Sequence, residues 1–580
     1  MTFKRLLSVL LALALLVSLS SCLDIGRFLP EESESDPAST DGSETGSGTE
    51  TKSESEPESR SETEAATGSE SESETAAETE SESESGSGID IFDDPEGYNP
   101  IIGAMSDLPP LLSPVQFCLR YGYESAEDED GRMLATASWQ ELVPAPVTEA
   151  NHPELARMIQ KINENTKIAA LHDLDELAEA GREYPVSDGA PYSAEYDVLV
   201  KRSDEIAVSL LVRRAVADQN GYSTEYDSYV LSPDTGEPMP ITQMISSEEA
   251  LLEAFVREFT VHYTNSYVSD PEATFGKVLS ENKVPWVLEP TGLVFYMSPG
   301  TYADPGEGLL KINLPFGGNG EVYPGDVTDV PESYVIPFFP EETVLTPALN
   351  GGLTLDAWVT YDEYDAFFET LHVQTGGEQY DFEMEGIDAD FFFVKTKTHK
   401  LFVVNSDQVG SHGDFTIFTL DEGRPVFYAL LSGESLSGAY FSDDGYGDFI
   451  FTDPECFLLS SKIDTLSTYT GIRLFSFDEG IVPQPADPVY VISCDFKLTV
   501  KKDVSLDLVY TETRRPTGEK ITVAAGTELA FVRTDRNTFV EMTDGNGLYV
   551  RVTFDNPGEY PLTVDGVPVD DIFDGIMYAN

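Results

Sequence analysis

The chain has 580 residues and carries 105 acidic against 34 basic side chains, a formal charge of −71. A protein this acidic is a poor partner for nucleic acid, whose phosphates need the opposite sign; it attracts basic proteins and peptides, and the same charge keeps an exposed protein soluble. Four cysteines without a Cys-x-x-Cys pair, and six histidines with no two at ligand spacing, predict neither a zinc cluster nor any other metal or cofactor.

Lys4 and Arg5 precede an apolar run from Leu6 to Leu19 that is too short for a stable membrane span and is followed by small residues, the pattern of an export signal. The run ends in Leu19-Ser20-Ser21-Cys22, which resembles the lipobox of bacterial lipoproteins. The resemblance implies that residues 1–22 are a signal peptide, that Cys22 is lipidated, and that the protein is anchored to the outer face of the bacterial cytoplasmic membrane. Two acyl chains hold a protein there stably where one does not.

Residues 23–108 read as a disordered acidic tether rich in Ser and Glu. Between Glu31 and Gly88 there is no aromatic residue and no aliphatic one beyond alanine, so nothing offsets the entropy of ordering the chain. Charge repulsion extends such a segment beyond the roughly 50 Å of a neutral coil of this length.

Residues 109–330 read as an α+β domain. Phe117, Leu119, Tyr121 and Tyr123 alternate with polar residues as on a half-buried strand, and a second strand runs from Arg132 to Val143. The acidic Glu127–Gly131 between them is a hairpin loop without the glutamate that a calcium-binding EF-hand requires. A helix starts at Asn151-His152-Pro153-Glu154, with Leu155, Met158, Ile159, Ile162, Ala169, Leu171, Leu174 and Leu177 on one stripe. His172 on this helix reads as structural. Strand runs Tyr192–Lys201, Glu205–Ala217 and Tyr226–Leu231 follow. Ser246 with Glu249 forms a capping box before Leu251, Leu252, Phe255, Val256 and Phe259. Pro290-Thr291-Gly292 joins two apolar alternations as a hairpin.

The order helix, paired strands, Ser-Pro-Asp-Thr-Gly-Glu turn at 232–237, capped helix and Gly-Leu-Val-Phe-Tyr hairpin at 292–296 resembles the extracellular domain shared by lysozyme-sensing anti-sigma factors and an accessory region of peptidoglycan deacetylases. The resemblance covers roughly Pro114 to Phe316. It departs at Ala217–Tyr222, where family members often carry a Gly-Ala-His segment. The anti-sigma factors also use a transmembrane helix and a cytoplasmic regulator, neither of which is read here, so direct transcriptional signalling is not expected.

Residues 331–494 read as a β-rich domain, with short strands at Asp390–Val394, Leu401–Val404, Phe415–Phe418 and Val426–Tyr428 set out like one propeller blade. Leu349–Gly352 is a tight turn; a Cys456–Cys494 bridge is open because both lie in the C-terminal half, but low cysteine use favours plain thiols in strands. Residues 495–580 carry short strands and an Asp544-Gly545-Asn546-Gly547 turn at small-barrel spacing, which resembles a bacterial SH3-like β-barrel. The expected architecture is thus multidomain: tether, α+β domain, β-rich domain and small SH3-like barrel.

Catalytic signatures do not emerge. Thr553-Phe554-Asp555-Asn556-Pro557 echoes a polysaccharide-deacetylase motif, but no histidine follows His412 to complete its metal site. Asp443, Asp444 and Asp448 in a glycine-rich turn read as solvated acids or a cation site. Trp286, Tyr296 and Tyr302 are the candidates to rim a ligand groove. The expectation is a non-enzymatic, lipid-anchored cell-surface protein that binds a basic protein such as a lysozyme, or peptidoglycan or another envelope polymer. The alternatives are an enzyme acting on envelope glycans through paired carboxylates, and a structural surface-assembly protein.

Overall fold

The computed structural model describes residues 115–578, apart from 185–190, 265, 299, 304–308, 317–320, 325–329, 341, 346–347, 349–353, 362–366, 409–410, 442–444, 478–479, 487, 495 and 511–514. Cys22, the tether, the turn at 349–352, Asp443 and Asp444 lie outside the described residues. The chain is multidomain and mostly β, with four α-helices among the described residues.

The first sheet has seven strands in the order Ser437–Phe441, Gly445–Phe449, Phe117–Glu127, Met133–Pro144, Tyr192–Ser203, Val208–Asp218 and Gly221–Leu231. All neighbours are antiparallel except Met133–Pro144 with Tyr192–Ser203. A parallel pair needs a long crossover, which a short helix, α1 (Pro146–Asn151), and a long one, α2 (Pro153–Glu183), supply. The predicted stripe on α2 is the face that packs on the sheet: Leu155, Ile159, Ile162, Leu174 and Leu177 are buried there, with Met158, Ala169 and Leu171 at the margin. His172 on its outer face is exposed. The strand predicted from Tyr226 begins earlier, at Gly221, because a tight turn pairs Asp218 with Gly221 and zips the hairpin from its tip.

Helices α3 (Glu248–His262) and α4 (Pro271–Ser280) cover a three-stranded sheet of Trp286–Glu289, Gly292–Met297 and Leu310–Pro315. The α3 cap is Ser247, whose hydroxyl accepts from Ala250 N at 3.3 Å, one residue later than the predicted Ser246. Ser246 instead donates its backbone N–H to the Val322 carbonyl. The predicted hairpin turns at Pro290-Thr291-Gly292, and Gly292 is required there: its φ is +152°, and a Cβ would lie 2.1 Å from the Leu314 carbonyl oxygen.

The four strands read as a blade are consecutive antiparallel members of a five-stranded sheet, in the order Val426–Ser432, Ser411–Thr419, Lys400–Gln408, Ala389–Lys395, with Tyr334–Phe338 on the far edge. A four-stranded sheet of Val344–Leu345, Thr354–Tyr361, Phe368–Thr375 and Glu378–Gly386 shares its phenylalanine-rich core.

Strand pairing crosses both sequence-based boundaries. Strands Ser437–Phe441 and Gly445–Phe449 return to the first sheet, and Tyr490–Ser493 pairs with Glu528–Thr534 to join the 331–494 and 495–580 regions in one sheet. That sheet does not close on itself, so a small SH3-like barrel is not seen among the described residues. Cys456 and Cys494 form no disulfide, since each packs in a different hydrophobic core.

Candidate functional site

Two sheets meet at a cluster of carboxylates. Asp448 lies on Gly445–Phe449, in register with Leu119 of the first sheet and Ser437 of the neighbouring strand. Asp390 and Asn405 face each other across the five-stranded sheet, with Asp407 two residues further on. The Tyr121 hydroxyl donates to Asp448 Oδ2, and the Ser437 hydroxyl donates to Asp407 Oδ1. Asn405 Nδ2 donates to Asp390 Oδ2 at 3.2 Å and approaches Ser437 Oγ at 3.5 Å. Its Oδ1 accepts from Ser435 Oγ at 2.9 Å and from Leu436 N at 2.8 Å, which locks the amide in place. Asp388 stands beside them, its carbonyl accepting from Asp407 N.

Tyr121 keeps 45% of its surface and Asp390 is exposed, whereas Asp407 and Asp448 are half-buried. Loss of hydration to the surrounding protein is nonetheless the largest influence on all four. These side chains are exposed or half-buried yet crowded by protein, and their cluster is termed the recess. Burial, then the neighbouring Asp448, Asp388 and Asp407, push the Asp390 carboxyl well above the usual range. Burial, then Asp407, raise Asp448 to about 7. Burial raises Asp407 to about 6 against the opposing hydrogen bond from Ser437. Among the described residues, the charged groups acting on these three carboxyls are other carboxylates. Such a recess can exchange protons near neutrality and can accept a cation, whose charge would offset the mutual repulsion.

A second charged cluster is structural. Glu342, Glu289, Lys201, Lys311 and Tyr296 are all buried where the Tyr192–Ser203 strand, the three-stranded sheet and the Phe339–Glu342 turn converge. Glu342 accepts from Lys201 Nζ at 2.9 Å, Lys311 Nζ at 2.7 Å, the Tyr296 hydroxyl at 3.1 Å and Phe339 N at 3.0 Å. On α2, His172, Asp173 and Glu176 stand together, but both Asp173 oxygens are engaged by Arg214 and one also by Tyr196.

The groove residues expected from sequence sit in the core. Tyr296 has no accessible surface, Trp286 is buried in the core under α3 and α4, and Tyr302 is half-buried with its ring 5.4 Å from Phe275. Trp286 faces α3 and α4, whereas Tyr296 lies on the opposite face of its strand against Leu211 and Phe339, so strand alternation buries both rings on different sides. Of the three acids noted in the glycine-rich turn, Asp448 is the one the structure places, and it joins the recess. Asp390, Asp407, Ser437 and Tyr121 were not singled out. Their one local signal is an acid at a strand position beside a phenylalanine run, as in Asp390-Phe391-Phe392-Phe393.

No family model matches the chain, and no curated protein matches it. Among solved structures it is similar to a member of the DUF3298 family from Bacteroides fragilis, at 12% identity and a TM-score of 0.26 over 37% of this chain and 96% of that one. It is also similar to a DUF3298 family protein from Pseudomonas aeruginosa, at 9% identity and a TM-score of 0.25 over 38% of this chain and 97% of that one.

Proposed function

We propose that this chain is a non-enzymatic surface protein, held to the membrane through lipidated Cys22 and raised on its acidic tether, that binds a cationic extracellular or envelope ligand. The recess of Asp390, Asp407 and Asp448 capped by Tyr121 carries this reading. A lysozyme side chain, or an amine on a cell-wall polymer, brings the charge that these carboxyls lack. Attraction to the acidic surface speeds encounter, and insertion of one ammonium or guanidinium group into the recess supplies selectivity.

Titration of the full chain with a lysozyme, at low and moderate salt and beside an equally acidic unrelated protein, tests the proposal. Saturable binding that weakens with salt, and that falls at least tenfold in a D390N/D448N variant, is expected. Affinity equal to the control, or indifferent to both substitutions, refutes it.

One observation favours a second reading. Asp407 and Asp448 both titrate near neutrality and are joined through Ser437, as an acid and a base of a glycan-acting enzyme would be. Release of reducing sugar or muropeptide that D407N and D448N each abolish supports it; no turnover on envelope glycans overturns it.

A further inference from the structure

Among the described residues, the Val426–Ser432 strand ends the five-stranded sheet and pairs on one side, with Ser411–Thr419. Its sequence, Val-Phe-Tyr-Ala-Leu-Leu-Ser, contains no charge, proline or glycine. Val426 is 39%, Phe427 54%, Tyr428 52% and Leu430 48% exposed. Edge strands usually carry charges or proline, because unpaired backbone groups beside apolar side chains template further strand pairing. The one such device here is a bulge opposite Ile417 and Phe418, which leaves Ala429 to Ser432 in regular register. Ala429 and Leu431 anchor the strand on the core beneath, so the outer edge is held extended and ready to pair.

We infer that this edge is a docking site for an extended peptide segment of alternating apolar and basic residues, added as a sixth strand. Backbone hydrogen bonds would supply affinity, and contact with Phe427, Tyr428 and Leu430 would supply side-chain selectivity. Charge selects the occupant. The strand is neutral, and Asp421 and Glu422 before it are paired with His399 and Arg424, so the pull on the occupant comes from the chain's net charge of −71. A second copy brings the same negative charge, whereas a basic strand is drawn in. The site is separate from the carboxylate recess.

The test uses the full chain and three synthetic ten-residue peptides: alternating Lys and Val, alternating Glu and Val, and Lys-Val with two central prolines. The Lys-Val peptide is expected to bind saturably and to slow amide exchange in 426–432. The double substitution Y428K/L430K, at exposed positions that leave the fold intact by circular dichroism, should weaken it at least tenfold. In D390N/D448N the peptide should still slow amide exchange in 426–432, which separates this edge from the recess, where a lysine of the peptide also binds. Three results each overturn the inference: equal affinity for the Glu-Val or proline peptide, protection without peptide of the amides in 426–432 that face away from Ser411–Thr419, or a dimer in sedimentation that L430K dissolves.

Discussion

Replacing Glu342 by Gln keeps the shape of the buried cluster and removes one of its two negative charges. Burial alone would raise this carboxyl, but Lys201 and Lys311 outweigh it and, with hydrogen bonds from Lys311 and Phe339 N, hold it down at about 2 against the usual 4.5. At about 1.4 kcal/mol per tenfold change in proton affinity, this favours the folded, ionised state by roughly 3 kcal/mol above pH 4.5. The partners respond unequally: burial pulls Lys201 down, whereas Glu342 and Glu289 overcome burial and raise Lys311. Stranding two lysines beside Glu289 alone costs about 3–5 kcal/mol by analogy with other broken buried pairs, in agreement with the titration argument. Denaturant unfolding followed through Trp286, in the adjoining core, measures it. E342Q should lose about 3 kcal/mol at pH 7, and the gap to the parent should narrow as pH falls from 4.5 towards 2, where the parent's advantage disappears. Adding K311M restores charge balance and should recover roughly half the loss. An E342Q chain within about 1 kcal/mol of the parent, or a gap independent of pH, refutes the assignment of this cluster as the electrostatic tie between the sheets.

The recess has the opposite sign. Asp407 and Asp448 have raised carboxyls, so the folded chain binds protons more tightly than the unfolded one between about pH 4 and 7. Their contribution to stability is present at low pH and is lost as pH rises through 6 and 7. D448N should raise the melting temperature at pH 8 relative to the parent and have little effect at pH 4; calorimetry at the two pH values decides, and an equal effect at both removes the argument. G292A places a methyl against the Leu314 carbonyl and should cost more than about 1 kcal/mol in denaturant unfolding. A neutral G292A would mean that the hairpin relaxes freely.

The amphipathic period of α2, the Pro-Thr-Gly hairpin and the short strands around Phe393, Val403 and Phe418 were all legible from local pattern, because burial of one face imposes a period that the residues must follow. The α3 cap was misplaced by one residue, since Ser246 and Ser247 are chemically equal and the Val322 carbonyl decides between them. The groove of Trp286, Tyr296 and Tyr302 was not recovered, because an aromatic residue looks the same in sequence whether its ring faces a ligand or the core.

By itself the sequence determined the mostly β character, the helix faces and the acidic charge, all properties of residues within a few positions of one another. Only the tertiary structure decided that Gly445–Phe449 pairs with Phe117–Glu127, so that Cys118 stands opposite Phe449 and Tyr121 reaches Asp448. Strand alternation states which face is buried but not which distant edge is the partner. The carboxylate recess is a product of that choice, since its acids come from strands that share no local signal.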